Sequence, residues 1–110
     1  MIIGDAAPHE NDGPIVILAR LRESPLESRR LRLIRFIEAQ LLEVLRWDES
    51  RRRELGAGFT AIGMDSLMAV DLQFRLQKAL HFALPMGEGF ESESAEELAD
   101  LILREHLVLD

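Results

Sequence analysis

The chain has 110 residues, of which 47% are hydrophobic but only 5% aromatic, and its formal net charge is −7. This length fits one small domain whose core must be largely aliphatic. Because the sequence contains no cysteine, disulfides, thiolate nucleophiles and zinc–thiolate sites are excluded. The three histidines, His9, His81 and His106, are too scattered for a metal site, so we expect no bound metal.

The negative charge is concentrated in the C-terminal part of the chain. Residues 82–110 contain eight acidic side chains and one arginine, whereas the acids and bases of residues 1–81 cancel. This acidity argues against nucleic acid as a partner. Arginines cluster at 29–35 and 51–53, but acids lie nearby and no aromatic residues alternate with them, so solvated surfaces explain them better. Since no segment is long enough to span a membrane and no secretory signal is visible, we expect a cytoplasmic protein without a membrane partner.

The N-terminal part of the chain lacks strong structural signals. Residues 1–14 contain glycine, proline, asparagine and aspartate without hydrophobic periodicity, and we predict a flexible leader there. The apolar run at 15–21 is compatible with either a strand or a helix. Because no β-rich segment is available to pair with it, we predict a linker or short helix over 15–24 that docks on the rest of the domain.

The first long helix is predicted from a start signal followed by a periodic pattern. Ser24, Pro25 and Glu27 fit a capping box with proline at the first helical position. Apolar residues then recur at three- and four-residue steps to about Arg46, which is typical of an amphipathic helix. The predicted core-facing stripe consists of Leu31, Ile34, Ile37, Leu41, Val44 and Leu45.

A second long helix is predicted over about 66–80, after a loop at 47–58 with a helical turn following Asp48. Phe59 and Ile62 should anchor this connection to the core, and Asp65 is a suitable N-cap for the helix. The predicted core face comprises Ala69, Leu72, Leu76, Ala79 and Leu80. A second apolar stripe, formed by Leu67, Val70 and Phe74, begins beside Ser66, and so small a domain cannot bury both stripes.

The last helix is predicted to begin at a second capping box, SAEE at 94–97, and to reach about His106. Its apolar residues are Leu98, Leu101, Ile102 and Leu107. Before it, a short helix at 86–89 is disfavoured because each of its two glycines costs about 1 kcal/mol relative to alanine. These elements predict an all-α fold, a small bundle of three main helices and a marginal short one, with a long first crossover.

Ser66 is the candidate functional residue, because the first turn of a helix favours an anion through its free N–H groups and its dipole. A phosphodiester on this serine would be stabilised there, although a serine kept only as a helix cap has the same spacing. A nucleophilic role is disfavoured, since activation needs a base within reach. His81 would lie at the opposite end of the same helix, about 22 Å away. We therefore expect no catalytic residues.

Residues 59–76 form a longer motif around Ser66, which reads FTAIGMDSLMAVDLQFRL. This stretch resembles the phosphopantetheine attachment motif of acyl carrier domains, most closely those of modular polyketide synthases, whose pattern is similar to F-x-x-L-G-[FM]-D-S-L-x-x-V-E-L-x-x-R-L. Downstream, LP at 84–85 and FESES at 90–94 have the spacing of that family's L-P…F-D-x-P-T segment. The chain departs from the family at the two glycines of 86–89 and at Glu93, which stands where the family has proline.

The resemblance extends from about Leu18 to the C-terminus and implies a carrier domain, which we place at 25–108. Such a domain would bear a 4′-phosphopantetheine arm on Ser66, moved from coenzyme A by a phosphopantetheinyl transferase. Asp65 matches the acidic neighbour that helps the transferase position its metal ion and the serine. The arm's thiol would carry acyl or polyketide intermediates as thioesters between ketosynthase, acyltransferase and other synthase domains. The chain itself would then be a non-catalytic carrier, which we expect to be monomeric as an isolated domain.

Two alternatives remain open at this point. An unmodified helical interaction module would use Leu67, Val70 and Phe74 as a partner groove and Ser66 as a cap. A peptidyl carrier domain of a nonribosomal peptide synthetase belongs to the same carrier class, but those domains more often resemble G-G-[DH]-S, so Met64 favours the acyl type. Incubation with coenzyme A and a transferase separates a carrier from an interaction module, because only the carrier gains mass.

Overall fold

A computed structural model describes residues 15–82 and 92–106 of the chain, and within these residues it contains helices and no strand. This confirms the predicted all-α class. We name the α-helices in chain order; the second is followed by a 3₁₀ helix and the fourth continues as a π-helical turn. The elements are α1 (Ile17–Glu23), α2 (Leu26–Leu45), the 3₁₀ helix (Glu49–Ala57), α3 (Ser66–Leu80), α4 (Ala95–Leu101) and the π-helical turn (Ile102–His106).

One aliphatic core lies between α2, α3 and α4, and α1 packs on its side against α2 and α3. The apolar side chains of the core are less than a tenth exposed, and they come from every helix of the described chain. An ion pair between Arg30 and Asp100, at 2.7 Å, joins α2 to α4 at the surface. None of the helices in the described ranges is long and apolar enough to cross a membrane.

The predicted capping box at the start of α2 is wrong. Pro25 occupies the N-cap position and no side chain caps this end. The Ser24 hydroxyl instead donates to the Arg20 carbonyl of α1 at 2.6 Å. Arg29 also turns back, and its Nε donates to the Leu21 carbonyl at 2.8 Å. Because α1 ends immediately before α2 begins, its free carbonyls compete for the donors that the sequence pattern assigned to the α2 start.

The buried face of α2 is wider than the predicted stripe. Ile34, Ile37 and Leu41 are buried as expected, and Val44 and Leu45 are partly buried against the core. Leu31, however, is 54% exposed, so its predicted core position is wrong. The burial extends to a second set of side chains because α1 and the 3₁₀ helix also pack on α2. That set consists of Leu33, Phe36, Gln40 and Leu42.

The other helices follow the predictions closely. In α3, Leu72, Leu76, Ala79 and Leu80 are buried and Ala69 is partly buried. In α4, Leu98 is buried, and Ile102 is buried where the π-helical turn begins. The predicted short helix at 86–89, the leader at 1–14 and Leu107 lie outside the described residues.

The connection from α2 to α3 contains more helix than the single turn predicted after Asp48. The Asp48 carboxylate accepts from the Ser50 N–H at 3.0 Å and caps the 3₁₀ helix. Arg52 fastens this helix to α2 through an ion pair with Glu38, at 2.8 Å, and it also pairs with Glu49. The chain after the 3₁₀ helix is thereby led towards the start of α3.

Candidate functional site

The loop before α3 is a compact turn that depends on two glycines. Gly58 and Gly63 have φ values of +102° and +83°, a region that side chains disfavour. The loop closes on itself, since the Met64 N–H donates to the Phe59 carbonyl at 3.1 Å and the Ile62 N–H donates to the Gly58 carbonyl at 3.1 Å. Phe59 is buried and Ile62 packs partly against the core, as predicted. The loop therefore delivers the chain to α3 in a defined position.

Asp65 is the N-cap of α3, as predicted. Its backbone is extended, and its carboxylate accepts from the Met68 N–H at 2.8 Å. Ser66 is then the first residue of α3 and is exposed. Because Asp65 already occupies the cap position, the helix does not need Ser66 for that purpose. The Ser66 hydroxyl is accessible at the positive end of a 15-residue helix.

A cavity of about 220 Å³ opens beside Ser66, between α3, the loop before it and the residues that lead into α4. The charged residues in its lining are Asp65 and Glu93, both acidic. The other lining residues are mostly apolar or small and uncharged, and they reach down to the core. They are Phe59, Thr60, Met64, Ser66, Ala69, Leu72, Gln73, Leu76, Ser92 and Leu98.

Glu93 is the residue of this site that the sequence reasoning missed. Its carboxylate accepts from the Thr60 N–H at 2.8 Å, and its backbone carbonyl accepts from the Phe59 N–H at 2.7 Å. The hydrogen bonding to Thr60 holds the pKa of the Glu93 carboxyl below its usual range. The available signal was the departure from the family pattern, because Glu93 stands where proline, which carries no carboxylate, is usual.

The second apolar stripe of α3 lies at the surface, as expected from the sequence. Leu67 is 81% exposed, Phe74 is 64% exposed and Val70 is 38% exposed. The stripe begins directly after Ser66 and follows three- and four-residue steps along the helix, so its members share one side of α3. Three apolar side chains on one side of a helix, next to the candidate serine, form a surface suited to contact with a partner.

Arg75 neutralises charge beside this stripe. Its guanidinium pairs with Asp71 of α3 at 3.1 Å and with Glu43 of α2 at 2.8 Å, and it donates to the Gln40 side chain at 3.3 Å. These partners raise the pKa of Arg75, Glu43 contributing most. Arg75 therefore joins α3 to α2 and is not a free cation for a partner.

Groups that could support catalysis are separated from Ser66. His81 follows the last residue of α3 in a left-handed conformation, at the opposite end of the helix from Ser66. Within residues 15–82 and 92–106, no group of three or more histidine, aspartate or glutamate side chains could hold a metal ion. The described site thus consists of an exposed serine, its capping aspartate, an open cavity and an apolar stripe.

Comparison with known proteins gives a direct family match. The family model for the phosphopantetheine attachment site matches residues 35–102, which include the loop, α3 and α4. Members of that family carry covalently attached 4′-phosphopantetheine, so this cofactor belongs to the chain as well. No solved structure matches the chain.

The similar curated proteins are polyketide synthases. The chain is 32% identical over 104 residues to a phenolphthiocerol/phthiocerol polyketide synthase of Mycobacterium tuberculosis (strain CDC 1551 / Oshkosh), covering 92% of this chain and 7% of that protein. It is 34% identical over 84 residues to polyketide synthase GfsA of Streptomyces halstedii, covering 76% of this chain and 1% of that protein. The chain thus spans less than a tenth of either relative. It belongs to the phosphopantetheine attachment family, as an acyl carrier domain of the polyketide synthase kind.

Proposed function

We propose that Ser66 is the attachment point of the 4′-phosphopantetheine arm and that the domain moves thioester-bound acyl intermediates between the enzymes of a polyketide synthase. The single observation that carries this proposal is the arrangement at the start of α3, where Asp65 caps the helix and Ser66 is left exposed. A serine that the fold uses as a cap would have its hydroxyl engaged by the backbone. Here that need is met by the neighbouring residue.

The attachment chemistry requires an accessible hydroxyl and little else from this chain. The Ser66 Oγ attacks the phosphorus of coenzyme A that bears the pantetheine group. A new O–P bond forms, the P–O bond to adenosine 3′,5′-bisphosphate breaks with its electron pair leaving on that nucleotide, and the serine proton passes to a base of the transferase or to water. Asp65, beside the serine, is placed to help the transferase hold its metal ion. The exposed Ser66 and the open space next to it fit a covalent arm.

The chain itself is expected to catalyse nothing. The arm supplies the thiol that this cysteine-free sequence lacks, and acyl groups are carried on it as thioesters. His81, at the opposite end of α3, is too distant to activate Ser66. Ketosynthase, acyltransferase and similar synthase domains are the partners that we propose, together with the transferase that attaches the arm.

The surface that these partners contact is proposed to be the exposed stripe of Leu67, Val70 and Phe74. These side chains lie on the helix that begins with Ser66, so a partner that receives the arm faces them at the same time. Aromatic and aliphatic side chains of this kind are common in the buried centres of protein interfaces.

The proposal is tested by substituting Ser66 with alanine. Wild type, incubated with coenzyme A and a broad-specificity phosphopantetheinyl transferase, should gain the mass of one arm, and Ser66→Ala should stay folded and gain none. Ser50→Ala is the matched control, because Ser50 is also exposed but lies in the 3₁₀ helix, and it should be modified like wild type.

Two outcomes would contradict the proposal. Modification of Ser66→Ala would place the arm on another residue. A wild type that stays unmodified, under conditions that load a control carrier, would favour the unmodified interaction module, with Ser66 as an ordinary helix residue.

A further inference from the structure

We propose that Glu93 is a positioning residue for the modification of Ser66, because it latches the loop before α3 to the start of α4. This inference rests on the proposed attachment of the arm to Ser66. Glu93 does not touch the reacting atoms. It acts through the loop that ends at Asp65 and Ser66, and its contacts are particular to this chain, since the family has proline at this position.

The latch consists of two parallel connections between Glu93 and the loop. The Glu93 carboxylate accepts from the Thr60 N–H at 2.8 Å, and the Glu93 carbonyl accepts from the Phe59 N–H at 2.7 Å. A hydrogen bond from an amide to an ionised carboxylate is stronger than one between neutral groups. Two successive loop residues are thus held by one residue from the other side of the cavity.

Glu93 is itself anchored to the first turn of α4. Its N–H donates to the Glu97 carboxylate at 2.8 Å, and the Glu97 N–H donates to the hydroxyl of the N-cap Ser94 at 3.1 Å. These reciprocal bonds resemble a capping box shifted by one residue. Because Glu93 is tied to α4, the loop is tied through it to the helix that packs on the core.

The backbone of the loop approaches Glu93 closely at Gly58. A Cβ atom at Gly58 would meet the Glu93 carbonyl oxygen at 3.3 Å, which is tighter than ordinary contact. The φ of +102° at Gly58 independently disfavours any side chain. The glycine therefore lets the loop come near enough for both connections of the latch to form.

Ser66 depends on this loop for its position. The loop is closed internally, since the Met64 N–H donates to the Phe59 carbonyl at 3.1 Å, so a shift at Phe59 or Thr60 is passed on to Asp65 and Ser66. Glu93 and Ser66 also line the same cavity. An in-line attack on phosphorus is sensitive to such shifts, because a misplacement of about 1 Å can cost about 100-fold in rate.

The test compares transferase kinetics on four variants of the described domain. Glu93→Ala and Glu93→Met both remove the carboxylate, and Met keeps a side chain of similar length. Glu93→Gln retains an oxygen acceptor for the Thr60 N–H. Glu96→Ala is the matched control, because it removes the same charge from an exposed position in the first turn of α4.

A positioning role predicts a split between kcat and KM. For Glu93→Ala and Glu93→Met, kcat for transfer of the arm from coenzyme A should fall roughly 10-fold, within the range that misplacement can cause, while KM for the carrier changes less. Amide hydrogen exchange at Thr60 should become faster. Glu93→Gln should recover most of the wild-type kcat and Glu96→Ala should match wild type. If the alanine variant does not fold, the methionine variant decides.

The inference is overturned if both variants lacking the carboxylate keep the wild-type kcat, or if Glu96→Ala loses as much as they do. An equal fall in kcat for Glu93→Gln would also overturn it, because the acceptor would then be irrelevant. Failure of the attachment proposal looks different, since wild type itself would then gain no mass in the same assay.

Discussion

At the scale of single residues, the start of α3 separates two roles between neighbours. Asp65 satisfies a backbone N–H of the first turn, and Ser66 remains accessible. The rest of α3 shows the same separation between structural and accessible side chains. Leu72 and Leu76 are buried in the core, while Leu67, one residue after the serine, is 81% exposed. Side chains on the same helix should therefore respond very differently to truncation.

We expect Leu72→Ala to lower the free energy of unfolding by about 2–5 kcal/mol, because it removes buried apolar atoms and leaves a cavity. Leu67→Ala is the matched control on the same helix and should change the free energy of unfolding by less than about 0.5 kcal/mol. Chemical denaturation followed by circular dichroism measures both. Equal losses for the two variants would mean that the assignment of the buried and exposed sides of α3 is wrong.

Residue-level prediction from the sequence succeeded where the cause was local. The Asp65 cap and the burial of Leu72 follow from helix capping and periodicity, which depend only on near neighbours along the chain. The role of Glu93 could not be predicted, because its acceptor bonds join residues 33 positions apart. Ser24 failed for a related reason, since a carbonyl of the preceding helix took the hydroxyl that the capping pattern had assigned to α2.

At the scale of elements, α1 stands out because it lies outside the matched family region of residues 35–102. Its Ile17 and Leu21 are nevertheless fully buried, and Arg29 of α2 donates to the Leu21 carbonyl at its C-terminal end. We propose that α1 is part of the folding unit, which would move the N-terminal limit of the carrier domain from our predicted residue 25 to about residue 17.

This proposal predicts that Leu21→Ala destabilises the whole domain. Loss of a fully buried leucine should lower the free energy of unfolding by about 2–5 kcal/mol, seen as a single shifted transition. Ile15→Ala is the control, because Ile15 precedes α1 and is 95% exposed, and it should behave like wild type. If the transition monitored in α3 and α4 does not move in Leu21→Ala, α1 is a separate appendage.

The long helices were predictable as elements because their apolar residues recur with the helical period over many turns. The 3₁₀ helix at 49–57 was not, since Leu55 is the one buried side chain within it and so no periodic stripe marks it. The width of the buried face of α2 was also unpredictable. It depends on α1 and the 3₁₀ helix packing on sides of α2 that a one-face pattern leaves to solvent.

At the scale of the whole molecule, the distribution of charge suggests how partners approach. Counted on its own sequence, α3 contains Asp71 against Arg75 and Lys78, a net charge of +1. The structure adds Glu43 of α2, which pairs with Arg75 at 2.8 Å, so the charges around this surface balance. A balanced surface steers a charged partner weakly. Apolar contact through Leu67, Val70 and Phe74 is then the main source of binding that we propose.

We therefore expect Phe74→Ala to slow acyl transfer between the loaded carrier and a partner ketosynthase domain without changing the unfolding transition, because Phe74 is 64% exposed. Leu26→Ala is the control, since Leu26 is 73% exposed but lies on α2. Raising the salt to about 0.5 M, where screening is short-ranged, should change the transfer rate little. Attachment within one synthase supplies a high effective concentration, so a fast encounter is not needed. If salt abolishes transfer while Phe74→Ala leaves it intact, the acidic residues 82–110 are the docking surface instead.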